Sequence, residues 1–213
     1  MSSLRITEIF CSIQGESTTA GEPTVFVRLT GCPLRCQYCD TAYAFTGGER
    51  MTIEDIMQTV TEFGVSHVTV TGGEPLAQKE CETLLTALCD AGLSVSLETS
   101  GALAIDNVDS RVRTILDIKT PGSGEQDKNL ASNIAALKPE DEIKFVICGR
   151  EDYDFALNQI QQHTLDDKAQ VLFSPSYTQL KPRQLAEWML QDKVPARLQL
   201  QMHKYLWGDE PGR

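Results

Sequence analysis

The sequence predicts an α/β protein with a mainly parallel sheet, an open and partial TIM-like barrel of about six parallel strands. Short β-rich runs alternate with amphipathic helical stretches almost throughout, the pattern of a sheet covered by helices. Polar and glycine residues gather where those runs finish, at Gly31, Gly72, Thr99-Ser100, Lys119-Thr120 and Ser174-Pro175, and the carboxyl edge of such strands carries the site. The 213 residues fall short of the ~250 of a complete eightfold barrel, so residues 1–213 read as one domain and any barrel is trimmed. A doubly wound sheet is the competing architecture.

The elements follow in order. Short apolar pieces flanked by Arg5 and Glu8 read as an edge strand entering the fold. Thr24 to Thr30 is a strand ending at a cysteine loop. Thr52 caps a helix whose apolar positions are Ile53, Ile56, Met57, Val60 and Phe63, with Glu54 and Asp55 complementing the dipole of its first turn. His67 to Thr71 is the next strand. A helix over about Gln78 to Asp90 turns Cys81, Leu84, Leu85 and Leu88 inward and stops before Gly92. Strands are expected at Ser94–Glu98, Thr114–Lys119, Glu142–Ile147 and Gln170–Phe173, with helices at about Asp127–Leu137 and Asp152–Gln162. Pro182 opens a last helix through Leu190, and Arg197–His203 reads as a final strand. Pro121–Gln126 reads as a flexible loop, and Ala42–Met51 carries little signal.

Charge and composition narrow the function. The net charge is −11, with thirty acidic against nineteen basic residues. Nucleic-acid binders carry a basic footprint, so a small molecule is the expected substrate and direct action on nucleic acid is not. There is no apolar stretch of membrane-spanning length and no signal peptide; a cytoplasmic protein is expected. Seven cysteines are an odd set for a disulfide framework. Cys11, Cys81, Cys89 and Cys148 are scattered and read as small apolar residues.

The other three, Cys32, Cys36 and Cys39, form C-x3-C-x2-C inside Gly31–Cys39. Thiolates are soft ligands suited to iron–sulfur clusters and zinc. A structural zinc site takes four protein ligands, and the sequence nearby offers only Asp40 as a fourth. Three thiolates suit a cluster with one iron left open. Gly72-Gly73-Glu74-Pro75 follows a strand directly: two glycines permit close backbone approach, and Glu74 can accept from an ammonium group. Taken alone, it is also an ordinary turn before a helix. Glu98 ends the next strand. Asp117 and Lys119 end the one after, on one face, where they can be a plain ion pair. Arg28, inside an apolar strand, needs an anionic partner.

The cysteine spacing, with Tyr38 just before the last cysteine, resembles the radical S-adenosylmethionine (SAM) superfamily. That resemblance implies a [4Fe–4S] cluster on Cys32, Cys36 and Cys39, whose open iron chelates the methionine part of SAM. One electron then yields a 5′-deoxyadenosyl radical. It places Gly73 and Glu74 at the methionine amino group, Glu98 at the ribose hydroxyls, and Tyr38, Ser100, Lys119 and Ser174 as further SAM contacts. Cys39-Asp40-Thr41, Ile13-Gln14-Gly15-Glu16 and Gln201-Met202-His203-Lys204 are, more narrowly, similar to the 7-carboxy-7-deazaguanine synthases of queuosine biosynthesis. That family implies Mg2+ on Thr41, with Asp40 as its backup. It implies a pterin substrate held by Ile13, Gln14, Gly15, Glu16, Arg28, Thr71, Gly72 and His203, with no residue acting as nucleophile. It further implies a homodimer and a flavodoxin-type reductant; the tail, Trp207–Arg213, is read as closing over the pterin but matches no family contact. Two other readings stay open on the residues: a small radical SAM activase acting on a glycyl-radical partner, and a zinc-binding interaction module.

Overall fold

The structure is a computed structural model, and it describes residues 2–208, 210 and 212. Its strands are β1 (Ser3–Ile13), β2 (Pro23–Leu29), β3 (Glu49–Thr52), β4 (His67–Gly72), β5 (Ser94–Thr99), β6 (Arg113–Asp117), β7 (Glu142–Ile147), β8 (Gln170–Pro175) and β9 (Arg197–Leu198). The helices are α1 (Ile53–Glu62), α2 (Cys81–Asp90), α3 (Asn133–Ala136), α4 (Arg150–His163), α5 (Pro182–Asp192) and α6 (Met202–Trp207). Among the described residues they make one nine-stranded sheet in the order β3-β1-β2-β4-β5-β6-β7-β8-β9. β2, β4, β5, β6, β7 and β8 run parallel, and hydrogen bonds do not join the sheet's two ends. This is the partial barrel the sequence predicts.

Strand side chains alternate between the two faces. One face packs under helices in two apolar groups. Val25, Val27, Val68, Val70 and Leu97 meet Ile56 and Val60 of α1 and Leu84, Leu85 and Leu88 of α2. Ile143, Phe145, Val171 and Phe173 meet Tyr153, Ala156 and Ile160 of α4 and Leu185 and Met189 of α5. The other face carries Phe26, Arg28, Thr71, Glu98, Ile115, Asp117, Lys144, Val146 and Ser174 toward a common cavity. Register aligns them in rows: Arg28 beside Thr71, Glu98 beside Ile115, and Asp117 beside Lys144. The α1 cap is the expected one: the Asp55 N–H donates to Thr52 Oγ1 at 3.1 Å, closing a capping box.

Several expectations are corrected. β1 is not simply an edge, because Glu49–Thr52 forms β3 and covers its first half from Ser3 to Ile6. The helix expected at Asp127–Leu137 is a 3₁₀ turn, Gln126–Lys128, followed by the single turn of α3. Two asparagines explain this by bonding backbone elsewhere. Asn129 takes both the N–H and the C=O of Lys119, each at 2.8 Å. Asn133 donates to the carbonyls of Gly101 and Leu103. Arg197–His203 stays a strand only to Leu198. Beyond it Gln199 and Gln201 turn their amides toward Glu16, the Met202 N–H donates to the Gly15 carbonyl at 2.9 Å, and α6 begins. His203 therefore stands on a helix. Pro121–Gln126 is braced: the Gly122 N–H donates to Asp152 at 2.6 Å, and Ser123 C=O accepts from Gln37 N–H at 3.0 Å.

Candidate active site

A cavity of about 690 Å³ opens at the carboxyl ends of the parallel strands. The cysteine loop forms one wall. Gly31 donates to Ala44 C=O and accepts from the Glu74 N–H, both at 2.8 Å. The Arg35 N–H reaches Glu125 Oε1 at 2.5 Å. The Arg35 guanidinium donates to the carbonyls of Cys32 and Leu34 and lies 4.2 Å from the Phe45 ring centroid. These bonds fix the loop through its backbone and leave the thiols to the cavity. Cys32, Cys36 and Cys39 are each partly buried and line that cavity. Burial pushes the Cys32 and Cys36 thiols up, and each thiol also feels the charge of Cys39. A bound cation reverses this preference, because a coordinating thiol is deprotonated.

The donor set fits a cluster held by three thiolates. Asp40, the one fourth ligand nearby, is engaged otherwise: Oδ1 accepts from the Thr41 hydroxyl at 2.8 Å and Oδ2 lies 3.8 Å from Lys204 Nζ. His67 pairs with Glu22 at 3.2 Å, and His163 lines a separate cleft beside α4. Among the described residues, no three Cys, His, Asp or Glu side chains gather around a single-ion position.

Gly73 shows why the next motif needs glycine. A Cβ there would stand 2.3 Å from Gly31 O and 2.7 Å from Cys32 Cβ. The segment is thus pressed against the cysteine loop. Glu74, expected to offer its carboxylate to the methionine amino group, is turned the other way. It is fully buried. It accepts from the Ser100 N–H (2.7 Å), the Ser100 hydroxyl (2.5 Å), Thr99 Oγ1 (2.9 Å) and the Leu76 N–H (3.0 Å). Its side chain locks the end of β5 in place, while Gly73, on the cavity wall, keeps its backbone near the cysteines.

Tyr38, Glu98, Ser100, Lys119 and Ser174 all line the cavity. The Lys119–Asp117 ion pair is present at 2.9 Å. Burial works against the Lys119 charge, but Asp117 outweighs it and raises the ammonium's pKa. Among the described residues, Asp117 Oδ1 and the Tyr38 hydroxyl are buried with no hydrogen-bond partner, so two polar atoms of this wall are left for a ligand. Glu98 accepts from Thr71 Oγ1 at 3.1 Å, and burial followed by the charge of Glu16 pushes its carboxyl up.

A second part of the cavity lining is formed by Ile13, Gln14, Gly15, Glu16, Arg28, Thr71, Gly72 and His203. Gln14 donates to Thr69 Oγ1 at 3.1 Å and accepts from the Glu16 N–H at 3.1 Å. Gly15 admits His203: a Cβ there would stand 2.1 Å from His203 Nδ1. Burial lowers the His203 pKa, with Glu16 opposing it. Arg28 has an anionic partner in the chain itself, since its Nε donates to Glu8 Oε1 at 2.7 Å. Tyr43 donates to that same oxygen at 2.8 Å. Thr41 and Asp40 also border the cavity and supply hard oxygen donors of the kind Mg2+ takes. Of the tail, Gly208, Glu210 and Gly212 line the cavity, whereas Asp209, Pro211 and Arg213 lie outside the described residues.

Sequence reasoning missed Lys144, Gln199 and Gln201, which converge on Glu16. Burial would raise the Glu16 carboxyl, but Lys144 above all overrides it and brings it down to about 2. Lys144 had the same signal as Arg28, a lone cation inside an apolar strand. Gln199 had none, and Gln201 stood only inside the run quoted for His203, with no sign of its partner.

Comparison with known proteins agrees with this geometry. The radical SAM superfamily model matches residues 26–161. A 7-carboxy-7-deazaguanine synthase of Chlorobaculum tepidum is 50% identical over 97% of this chain and 96% of its own. One from Koribacter versatilis is 42% identical over 97% and 98%. Among solved structures, QueE from Escherichia coli superposes with a TM-score of 0.77 at 25% identity, covering 94% of this chain and 95% of that one. Streptococcus suis SuiB bound to S-adenosylmethionine shares the fold with a TM-score of 0.53 at 16% identity, over 80% of this chain and 44% of that one.

Proposed function

Since the chain belongs to the radical SAM superfamily and, within it, to the 7-carboxy-7-deazaguanine synthases, we propose that it converts 6-carboxy-5,6,7,8-tetrahydropterin to 7-carboxy-7-deazaguanine. The reaction is a radical ring contraction with loss of ammonia, a lyase step of queuosine biosynthesis. The observation that carries this reading is one cavity with two unlike walls. Three thiols stand on one, and Gln14, Glu16, Arg28 and His203 stand on the other.

Bound to Cys32, Cys36 and Cys39, a [4Fe–4S] cluster with SAM supplies the radical that takes hydrogen from the pterin. The chain's residues bind and orient. Gly73 presents backbone to the methionine part, and Glu98, Ser100, Lys119, Ser174 and Tyr38 surround the rest of SAM. Glu74 acts behind them, fixing Ser100. Arg28 meets the pterin carboxylate with its terminal nitrogens while Glu8 holds its Nε. Ile13, Gly15, Thr71 and Gly72 shape the ring pocket. Gln14 and Glu16 read the ring's donor edge, and His203 closes over it. Thr41, or Asp40 in its place, would hold Mg2+, whose charge would favour the substrate's carboxylate. Packing the two ligands together excludes water from a reactive carbon radical.

The reading extends to a homodimer, a flavodoxin-type reductant and a cytoplasmic location. Among the described residues no helix is long and apolar enough to cross a membrane. The single sheet running from β3 to β9 supports treating residues 1–213 as one domain. An anaerobic assay with reconstituted cluster, SAM, dithionite, Mg2+ and the carboxypterin, followed by mass spectrometry, tests the activity. Formation of the deazaguanine acid supports it. An intact cluster that turns over another substrate and not this one rejects it.

A further inference from the structure

Lys144 is the third residue of β7 and stands on the cavity face of the sheet. Its ammonium donates to Glu16 Oε2. Gln199 Nε2 donates to the same oxygen at 3.1 Å, and Gln201 Nε2 donates to Oε1 at 2.8 Å. The three donors come from 128, 183 and 185 residues away. They are a dedicated cradle and no consequence of local turn geometry. A carboxylate offers about four acceptor positions. Three are filled from the protein, and Glu16 still borders the cavity.

The charges facing this carboxylate come from several elements. Lys144 on β7, His203 on α6 and Glu98 on β5 act on it directly, while Arg28 on β2 faces Glu98 and Asp117 on β6 faces Lys144. Glu98 and Asp117 oppose a further negative charge, and so does burial. Lys144 is the cation in direct contact. The ionisation state matters to recognition. An ionised carboxylate only accepts hydrogen bonds, whereas a protonated one presents an O–H to whatever faces it.

We propose that Lys144 is a positioning residue that holds Glu16 as an oriented anion, so that the site selects a heterocycle edge carrying amino and ring N–H donors and rejects the analogue with a carbonyl oxygen in place of the amino group. The inference rests on the pterin reading and assigns the discrimination within it to a residue outside the family motifs quoted above. It also gives Glu16 one task. A carboxylate pinned by three donors serves as an acceptor throughout and does not act as a proton donor.

The test is equilibrium binding to cluster-loaded protein with SAM and without reductant, using the carboxypterin and its 2-oxo analogue. Wild-type protein binds the pterin; failure there overturns the pterin reading itself. Lys144→Met is expected to weaken pterin binding by roughly tenfold to a hundredfold and to abolish discrimination against the 2-oxo analogue. SAM affinity stays within about twofold, because Lys144 acts through Glu16. Lys144→Arg restores most of both properties. In the Glu16→Gln background, Lys144→Met has no further effect. Wild-type affinity and discrimination in Lys144→Met overturn the proposal, and so does a loss that adds fully to that of Glu16→Gln. If Lys144→Met does not fold, the infrared difference between isotope-labelled wild type and Glu16→Gln decides. A carboxylate band at about pH 5 supports the anion, and a carboxylic-acid band overturns it.

Discussion

The two walls of the cavity are built by different means. The cysteine wall is held largely through backbone: Gly31 donates to Ala44, Glu74 to Gly31, and Gln37 to Ser123. Its glycines let two stretches of main chain touch, as Gly73 does against Gly31. The pterin wall is held by side chains and ions. Glu16, Lys144, Gln199 and Gln201 span nearly the whole sequence, and Arg28 is set by Glu8. A cofactor presenting the same groups in every relative suits a rigid backbone mount. A substrate whose donors and acceptors must be told apart suits a charged, adjustable one.

The largest effect should come from removing a thiol. Cys36→Ala is expected to eliminate cluster binding and all SAM cleavage, read by iron content and by 5′-deoxyadenosine formation. Retention of four irons per chain, about the content of one cluster, would break the distinction at its root. Acid comes next and probes the other wall. The Glu16 carboxyl is lowered from 4.5 to about 2, so its contribution is present above its unfolded pKa and is lost as pH falls from about 4.5 toward 2. The shift corresponds to stability on the order of 3 kcal/mol. Denaturant unfolding of wild type and Glu16→Gln across that range should show the wild-type slope missing from the variant.

A smaller change sharpens the backbone side. Gly73→Ala places a Cβ against Gly31 O and Cys32, and such overpacking costs about 1–3 kcal/mol. Lower thermal stability should come with poorer iron retention, while the pterin wall stays intact. The mildest is Arg28→Ala. Losing a hydrogen-bonded charge weakens pterin binding by about tenfold or somewhat more, with SAM binding unchanged in a parallel titration. Equal losses for the two ligands would join what the structure keeps apart.

That division also explains what was readable from sequence. The thiols and the glycine pair each sit in one short contiguous run, so C-x3-C-x2-C and Gly-Gly-Glu-Pro announce the cysteine wall. Strand alternation likewise put Asp117 and Lys119 on one face, and the structure has both line the cavity with Arg28 and Glu98. What failed was direction and partnership. Glu74 reads as a ligand group, yet four donors from Leu76, Thr99 and Ser100 turn it inward. Arg28 demanded an anion, and strand pairing supplied Glu8 beside it. Residues 199–203 read as a strand because their apolar alternation is real; the amides that leave the ladder for Glu16 have no local signature. The helix expected near Asp127 failed in a similar way, through asparagines whose partners lie on other loops.

The Met202 N–H bonded to the Gly15 carbonyl joins the first strand's exit to the final helix. On the ribosome, the cysteine loop and Gly73 emerge early and can meet as soon as their strands pair. The substrate pocket has no such early form. Its floor at Glu16 is translated 185 residues before its clasp at Gln201, so a nascent chain can present its thiols well before it can recognise what they are for.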